Sequence, residues 1–203
     1  MSQDTPLKPA HQRPETPDFW DKRFSEGVTP WIHGGVPAEL EGFSARQPGQ
    51  PRTLIPGCGH AWEAGFLADR GWQVTALDFS PAAIETAREV LGAWPGQLLC
   101  ADFFEFTPTT PYDIVYERAF LCALPRKLWP GYGPRLGELV RPGGLLAGFF
   151  FFSDEPKGPP FGTTPAALAE MLTPWFEPVE DAPASASIPV FAGGERWQVW
   201  RRR

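Results

Sequence analysis

Positive charge, cysteine, histidine and long apolar runs are all scarce in this chain of 203 residues. Its 18 Lys and Arg stand against 24 Asp and Glu, a formal charge of -6, which leaves no broad basic surface for a polyanion. Nucleic acid is therefore not an expected partner. The longest apolar run, Leu145 to Phe152, stops far short of the roughly 20 residues a membrane helix needs. The Pro-rich start lacks the apolar segment of a secretory leader, so no membrane role and a cytoplasmic location are expected. Cys58, Cys100 and Cys122 form an odd, scattered set with neither Cys-x-x-Cys nor Cys-x-x-His spacing. That pattern argues against a disulfide framework and a zinc site, and no metal is expected. His11 falls in the tail, and His33 and His60 are expected at surface or packing positions.

Proline and glycine, at 25 and 21 residues, are abundant but spread through turns with no repeat. Residues 1–15, rich in Pro, Lys, Gln and Asp, read as a flexible tail, and 16–203 as one domain able to bury a core unaided. After a short helix around Phe19 and another near Ala38 to Phe43, apolar runs predict strands at Arg52–Pro56, Trp72–Leu77, Gln97–Cys100, Tyr112–Glu117 and Leu145–Phe152. Two final strands are expected at Trp175–Glu180 and Glu195–Arg201. Between them, helical spacing predicts helices over 61–70, 81–91, 128–140 and 165–172. Ser80-Pro81 marks a helix start, whereas Pro130, Gly131, Gly133 and Pro134 blur another. Alternating strands and helices predict an α/β fold, a single Rossmann-like doubly wound domain. Its sheet is mostly parallel with an antiparallel strand near the C-terminus, and helices cover both faces.

Ligands in such sheets bind beyond the carboxyl ends of the strands, where Gly57, Gly59, Asp78, Asp102, Glu117, Arg118 and Ser153 all fall. The apolar run Thr53-Leu54-Ile55-Pro56 ending in Gly57-Cys58-Gly59 lets backbone approach a ligand closely, because glycine has no Cβ. Asp78, at the end of the next strand, stands where a carboxylate meets ribose hydroxyls. A dinucleotide site would carry a third glycine where this chain has Trp62, which disfavours a nicotinamide oxidoreductase. Asp78 capping the next helix and Asp102 serving only a turn are the structural alternatives.

Together these features resemble the S-adenosylmethionine (SAM) site of class I methyltransferases, and further motifs narrow the match to the thiopurine S-methyltransferase superfamily, including the plant thiol and halide methyltransferases. Trp20, Phe24 and Gly27-Val28-Thr29-Pro30-Trp31 resemble that family's aromatic lid, here about residues 16–45. Ala68-Asp69-Arg70-Gly71 and Glu117-Arg118 resemble the thiopurine branch. Phe120-Leu121-Cys122-Ala123-Leu124-Pro125 resembles the plant branch, and Gly158-Pro159-Pro160-Phe161 a loop common to both. The resemblance implies SAM as cofactor and S-adenosylhomocysteine (SAH) as product. It implies Trp20, Phe24 and Trp31 around SAM, Gly57 and Gly59 in the loop, and Asp78 at the ribose. Asp102 and Phe103 would meet the adenine and Arg118 the reacting end, with Glu117 also among the cofactor-binding residues. Phe24 stands where the family has tryptophan, and Gly57 where thiopurine enzymes have leucine.

Aromatic faces attract a sulfonium cation by about 0.5–2 kcal/mol, so the lid suits both binding and shielding. Transfer to sulfur needs an unprotonated nucleophile, and a thiol of pKa about 8.5 gains thiolate beside a guanidinium. Arg118 is the catalytic candidate. Its alternatives are a structural ion pair with Glu117, Asp102 or Asp154, or a contact to the cofactor's carboxylate. The expected acceptor is a small sulfur nucleophile, a thiol, thiopurine or sulfide, handled by a monomer or weak homodimer. Halide, selenium or tellurium acceptors and a non-catalytic SAM-binding module are the alternatives.

Overall fold

Short apolar runs bracketed by glycine and proline supply seven strands in a computed structural model that describes residues 8–203 except 33 and 192. The strands are β1 (Arg52–Pro56), β2 (Gln73–Asp78), β3 (Gln97–Cys100), β4 (Tyr112–Arg118), β5 (Val140–Phe151), β6 (Phe176–Pro183) and β7 (Glu195–Arg202). They form one sheet in the order β3-β2-β1-β4-β5-β7-β6. Neighbours from β3 to β5 pair in parallel, and β7 runs antiparallel to both β5 and β6. The winding direction reverses between β1 and β4, which opens a cleft beyond their carboxyl ends.

The helices are α1 (Pro17–Ser25), α2 (Ala38–Arg46), α3 (Trp62–Asp69), α4 (Pro81–Leu91), α5 (Trp129–Leu139) and α6 (Pro165–Leu172). Side chains alternate across a strand, and β4 uses this to reach two cores. Ile114 and Tyr116 pack with Phe43, Leu67 and Ile84 of α2, α3 and α4. Val115 packs with Leu136 and Leu172 of α5 and α6. Each sheet face is thus covered by helices, and Glu117 and Arg118 must leave β4 on opposite sides.

Two elements differ from the expectation of the sequence. The turn expected at Arg141 to Gly144 is absorbed into β5, which starts at Val140 and takes up the extra residues as a register shift between Tyr112 and Ile114 of β4. In α5, Pro130 occupies the first turn, where no intrahelical N–H is required, and Pro134 is carried inside the helix. Gly133 there is a packing surface, not a breaker. A Cβ on it would lie 2.0 Å from the Met171 carbonyl of α6, so glycine permits the close approach of the two helices.

The segment expected as a tail lies partly outside the described residues, as does His33. Residues 8–15, its described part, are tied to the body. A 3-10 turn spans Ala10–Gln12, and the Thr16 hydroxyl contacts the carbonyls of Ala10 at 2.6 Å and Arg13 at 2.8 Å. The Trp20 indole donates to the Pro14 carbonyl at 2.8 Å, and Glu15 pairs with Lys127 at 2.5 Å. Among the described residues no helix is long and apolar enough to cross a membrane.

Candidate functional site

A cavity of about 410 Å³ opens at the strand carboxyl ends, and Gly57, Gly59, Asp78, Asp102, Phe103 and Arg118 line it. Trp20, Phe24 and Trp31 close it from the N-terminal side. The residues expected at the rim meet there except Glu117 and Ser153.

Gly57 turns the chain out of β1 at φ +59, and a Cβ at this position would lie 2.5 Å from the Phe120 ring. Phe120 fills the space that a leucine would occupy. The loop is then pinned to β2: Cys58 N–H donates to the Leu77 carbonyl at 3.0 Å, and Gly59 N–H to Asp78 Oδ2 at 3.2 Å. Asp78 Oδ1 accepts the Ser80 N–H at 3.0 Å. Asp78 does not cap α4. That role falls to Ser80, whose hydroxyl accepts the Ala83 N–H at 3.2 Å, and to Asp21 of α1, which takes the Ser80 hydroxyl at 2.6 Å and the Ala82 N–H at 3.0 Å. Burial raises the Asp78 acid to about 6, against two N–H donors that favour its charge. Each oxygen accepts one of these N–H groups and retains further acceptor capacity, and the residue lines the cavity.

Asp102 accepts the Phe104 N–H at 2.7 Å, so it shapes the turn after β3 while its residue lines the cavity. Phe103 is buried, edge-on to Phe120 at 5.0 Å, and with Leu77 and Phe79 makes an apolar part of the cavity wall. Across the opening, Trp20 and Trp31 meet edge-to-face at 5.4 Å, and Phe24 meets Trp31 at 6.1 Å. These rings form a connected aromatic face over the glycine loop. His60, also on the cavity wall, stacks toward Trp62, and its Nδ1 is buried without a hydrogen-bond partner.

Arg118 leaves β4 on the α3 side. Its side chain is only 7% exposed; its Nε and Nη2 have no hydrogen-bond partner, and its guanidinium lies 4.7 Å from the Phe149 ring centre. Among the described residues the acid paired with it is Glu195, at a loose 3.9 Å, and not Glu117, Asp102 or Asp154. Glu117, expected at the cofactor, leaves β4 on the α5 side and misses the cavity. One carboxylate oxygen accepts the N–H groups of Phe120 (2.9 Å) and Leu121 (3.4 Å), and the other faces the Tyr132 hydroxyl at 3.4 Å. Burial raises its acid to about 7. Its part is to hold the turn that carries Ala119, at φ +60, and Phe120 into the cavity. Ser153, also expected on the rim, caps its own loop by accepting the Glu155 N–H.

Among the wall residues Ile188, Val190 and Phe191 carried no signal in the sequence, whereas Pro159 and Pro160 belong to the loop marked by the family resemblance. Pro159, Pro160, Ile188, Val190 and Phe191 complete the side near Arg118. The loop bearing Ile188 is tethered by two acids: Glu39 accepts the Ser185 N–H, and Glu195 accepts the Ile188 N–H at 2.6 Å and the Ser187 hydroxyl at 2.8 Å. Cys58 and Cys122 are free thiols on the wall, pushed well up in pKa by burial, so they stay protonated. Only short-range turn chemistry could have flagged such positions, and Ser185 to Val190 offers little beyond Pro189.

Comparison with known proteins agrees with this geometry. The family model for thiopurine S-methyltransferase matches residues 15–203. Thiocyanate methyltransferase 1 of Arabidopsis thaliana is 27% identical over 190 residues, covering 90% of this chain and 84% of the relative. The thiopurine S-methyltransferase of Methylococcus capsulatus is 29% identical over 182 residues, covering 79% and 82%. Among solved structures, magnesium protoporphyrin IX methyltransferase of Synechocystis PCC 6803 with bound SAM superposes with a TM-score of 0.72 at 17% identity, covering 98% of this chain and all of that one; it shares the fold. The chain belongs to the thiopurine S-methyltransferase family, SAM-dependent enzymes that methylate sulfur.

Proposed function

We propose that the acceptor is a small sulfur nucleophile that reacts as an anion, such as a thiolate, hydrosulfide or thiocyanate, held opposite Arg118. One observation carries this reading: a guanidinium almost out of water, with two nitrogens unpartnered, on the wall of a mainly apolar cavity. A buried charge with so loose a partner is costly, and an anion taken up beside it relieves that cost. The same charge favours thiolate over thiol, so no separate base is needed. SAM supplies the electrophilic methyl group when bound. Asp78 suits the ribose hydroxyls, Asp102 and Phe103 the adenine, and the Gly57 to Gly59 backbone the methionyl side. Trp20, Phe24 and Trp31 present aromatic faces to the sulfonium and keep water out. Ile188, Val190 and Phe191 confine the acceptor. Cys58 and Cys122, protonated, do not compete with it for the methyl group.

The relatives called thiocyanate and thiol methyltransferases support a small acceptor, others are called thiopurine S-methyltransferases, and nothing in the site favours selenium or tellurium species or a cofactor-binding module without catalysis. Three free cysteines and a thiol-type acceptor suit the reducing cytoplasm. One chain builds the whole cavity, which suits a monomer or weak homodimer. The test is SAH formation over a panel of thiocyanate, sulfide, small thiols, a thiopurine and halides. Highest kcat/KM among the small anionic sulfur acceptors is the expected result. A thiopurine or a halide at the head of the panel would sink the reading.

A further inference from the structure

We propose that Glu63 receives the ammonium group at the methionyl end of the cofactor, an assignment that rests on the cofactor-site reading above. Glu63 stands in the first turn of α3, directly after the glycine loop, and its residue forms part of the cavity wall. Helical side chains lean toward the helix N-terminus, which here is the side of Gly57 to Gly59. Glu63 is half-buried, and burial raises its acid against a hydrogen bond from its own backbone N–H. The one side chain bonded to it is Tyr116, whose hydroxyl donates at 3.5 Å, the long limit of a hydrogen bond.

No cation pairs with Glu63 among the described residues. Arg118 goes to Glu195 and reaches Glu63 only as a more distant charge. The positive end of α3 offsets part of the burial cost, and a buried carboxylate left in that condition favours a ligand that brings a cation. SAM carries two, a sulfonium and an ammonium. The aromatic lid suits the sulfonium. For the ammonium the other acids are engaged or misplaced: Asp78 holds Gly59 and Ser80, Asp102 holds Phe104, Glu15 pairs with Lys127, and Glu117 faces away from the cavity. Glu63 is the free acid beside the loop.

The experiment compares calorimetric binding of SAH with that of 5′-methylthioadenosine, which keeps the nucleoside and sulfur but has no amino-acid end. Glu63→Gln keeps the shape of the side chain and an acceptor for the Tyr116 hydroxyl while removing the charge. It is expected to weaken SAH by about tenfold or more and methylthioadenosine by less than about twofold. Undiminished methylthioadenosine binding then also reports a folded site. Equal weakening of both ligands, or weakening of neither, overturns the assignment. A wild-type chain that binds neither ligand fails at the cofactor-site reading itself, a result distinct from failure of Glu63 alone.

Discussion

The half of the cavity over β1, β2 and β3 is built from neighbours in sequence, and the acids at its strand ends are hydrogen-bonded: Asp78 takes the N–H groups of Gly59 and Ser80, and Asp102 that of Phe104. The half over β4, β5 and β7 is assembled from distant segments, is largely apolar, and leaves Arg118 with one loose ion pair. The first half is a preorganised cradle whose backbone geometry is set before any ligand arrives. The second holds an under-compensated charge, so it gains most from an anion. A cofactor common to a whole family suits the former, and acceptor choice suits the latter, where a single side chain changes both charge and size.

The sharpest way to break this division is Asp78→Ala, which strands two N–H donors and removes the diol acceptor. SAH affinity is expected to fall about a hundredfold by calorimetry, while acceptor KM at saturating SAM changes little. A comparable rise in acceptor KM would show that the halves are not separable. Arg118→Gln should do the reverse, lowering kcat/KM for an anionic acceptor by about ten- to a hundredfold while SAH affinity stays within about twofold.

A smaller effect tests the seam between the halves, where Gly57 meets Phe120. Gly57→Ala places a methyl group against the ring at φ +59 and should lower unfolding stability by about 1–3 kcal/mol in urea titrations. Adding Phe120→Leu should recover part of that loss, and full additivity of the two changes would refute the steric account.

Acidity separates the halves most gently. Burial raises Asp78 to about 6 and Glu117 to about 7, so between the ordinary carboxylate range and those values the folded chain binds more protons than the unfolded one. The contribution of these groups to ligand-free stability is therefore present at low pH and is lost as pH rises through about 6 to 7. SAH affinity should move the opposite way, falling as pH drops through about 6 and Asp78 loses its charge. Asp78→Asn is expected to flatten that affinity profile, and an unchanged profile in the variant would assign the dependence elsewhere.

The cradle was largely legible because its signals are local. A glycine turn after an apolar run and an acid closing the next strand are separated by one helix, so strand order alone brings Gly57, Gly59, Asp78 and Asp102 together. Gln97–Cys100 and Pro165–Leu172 fall where expected because turn residues bracket them. The start of β5 was not legible: Pro142, Gly143 and Gly144 carry turn chemistry, yet pairing with β4 through a bulge overrides it. Glu117 was misplaced for a related reason. Strand alternation sends residues 117 and 118 to opposite faces, but nothing in the chain says which face borders the cavity.

By itself the sequence determined the doubly wound sheet, the rim where ligands bind and the aromatic segment that covers it, because periodicity, turn residues and strand ends are short-range properties of the chain. Only the tertiary structure decided that Arg118 faces Glu195 across a loose gap, that Glu63 has no cationic partner among the described residues, and that Ile188, Val190 and Phe191 join the cavity wall. Burial and charge pairing belong to the assembled interior, where segments far apart in the chain set one another's solvent and counter-ions.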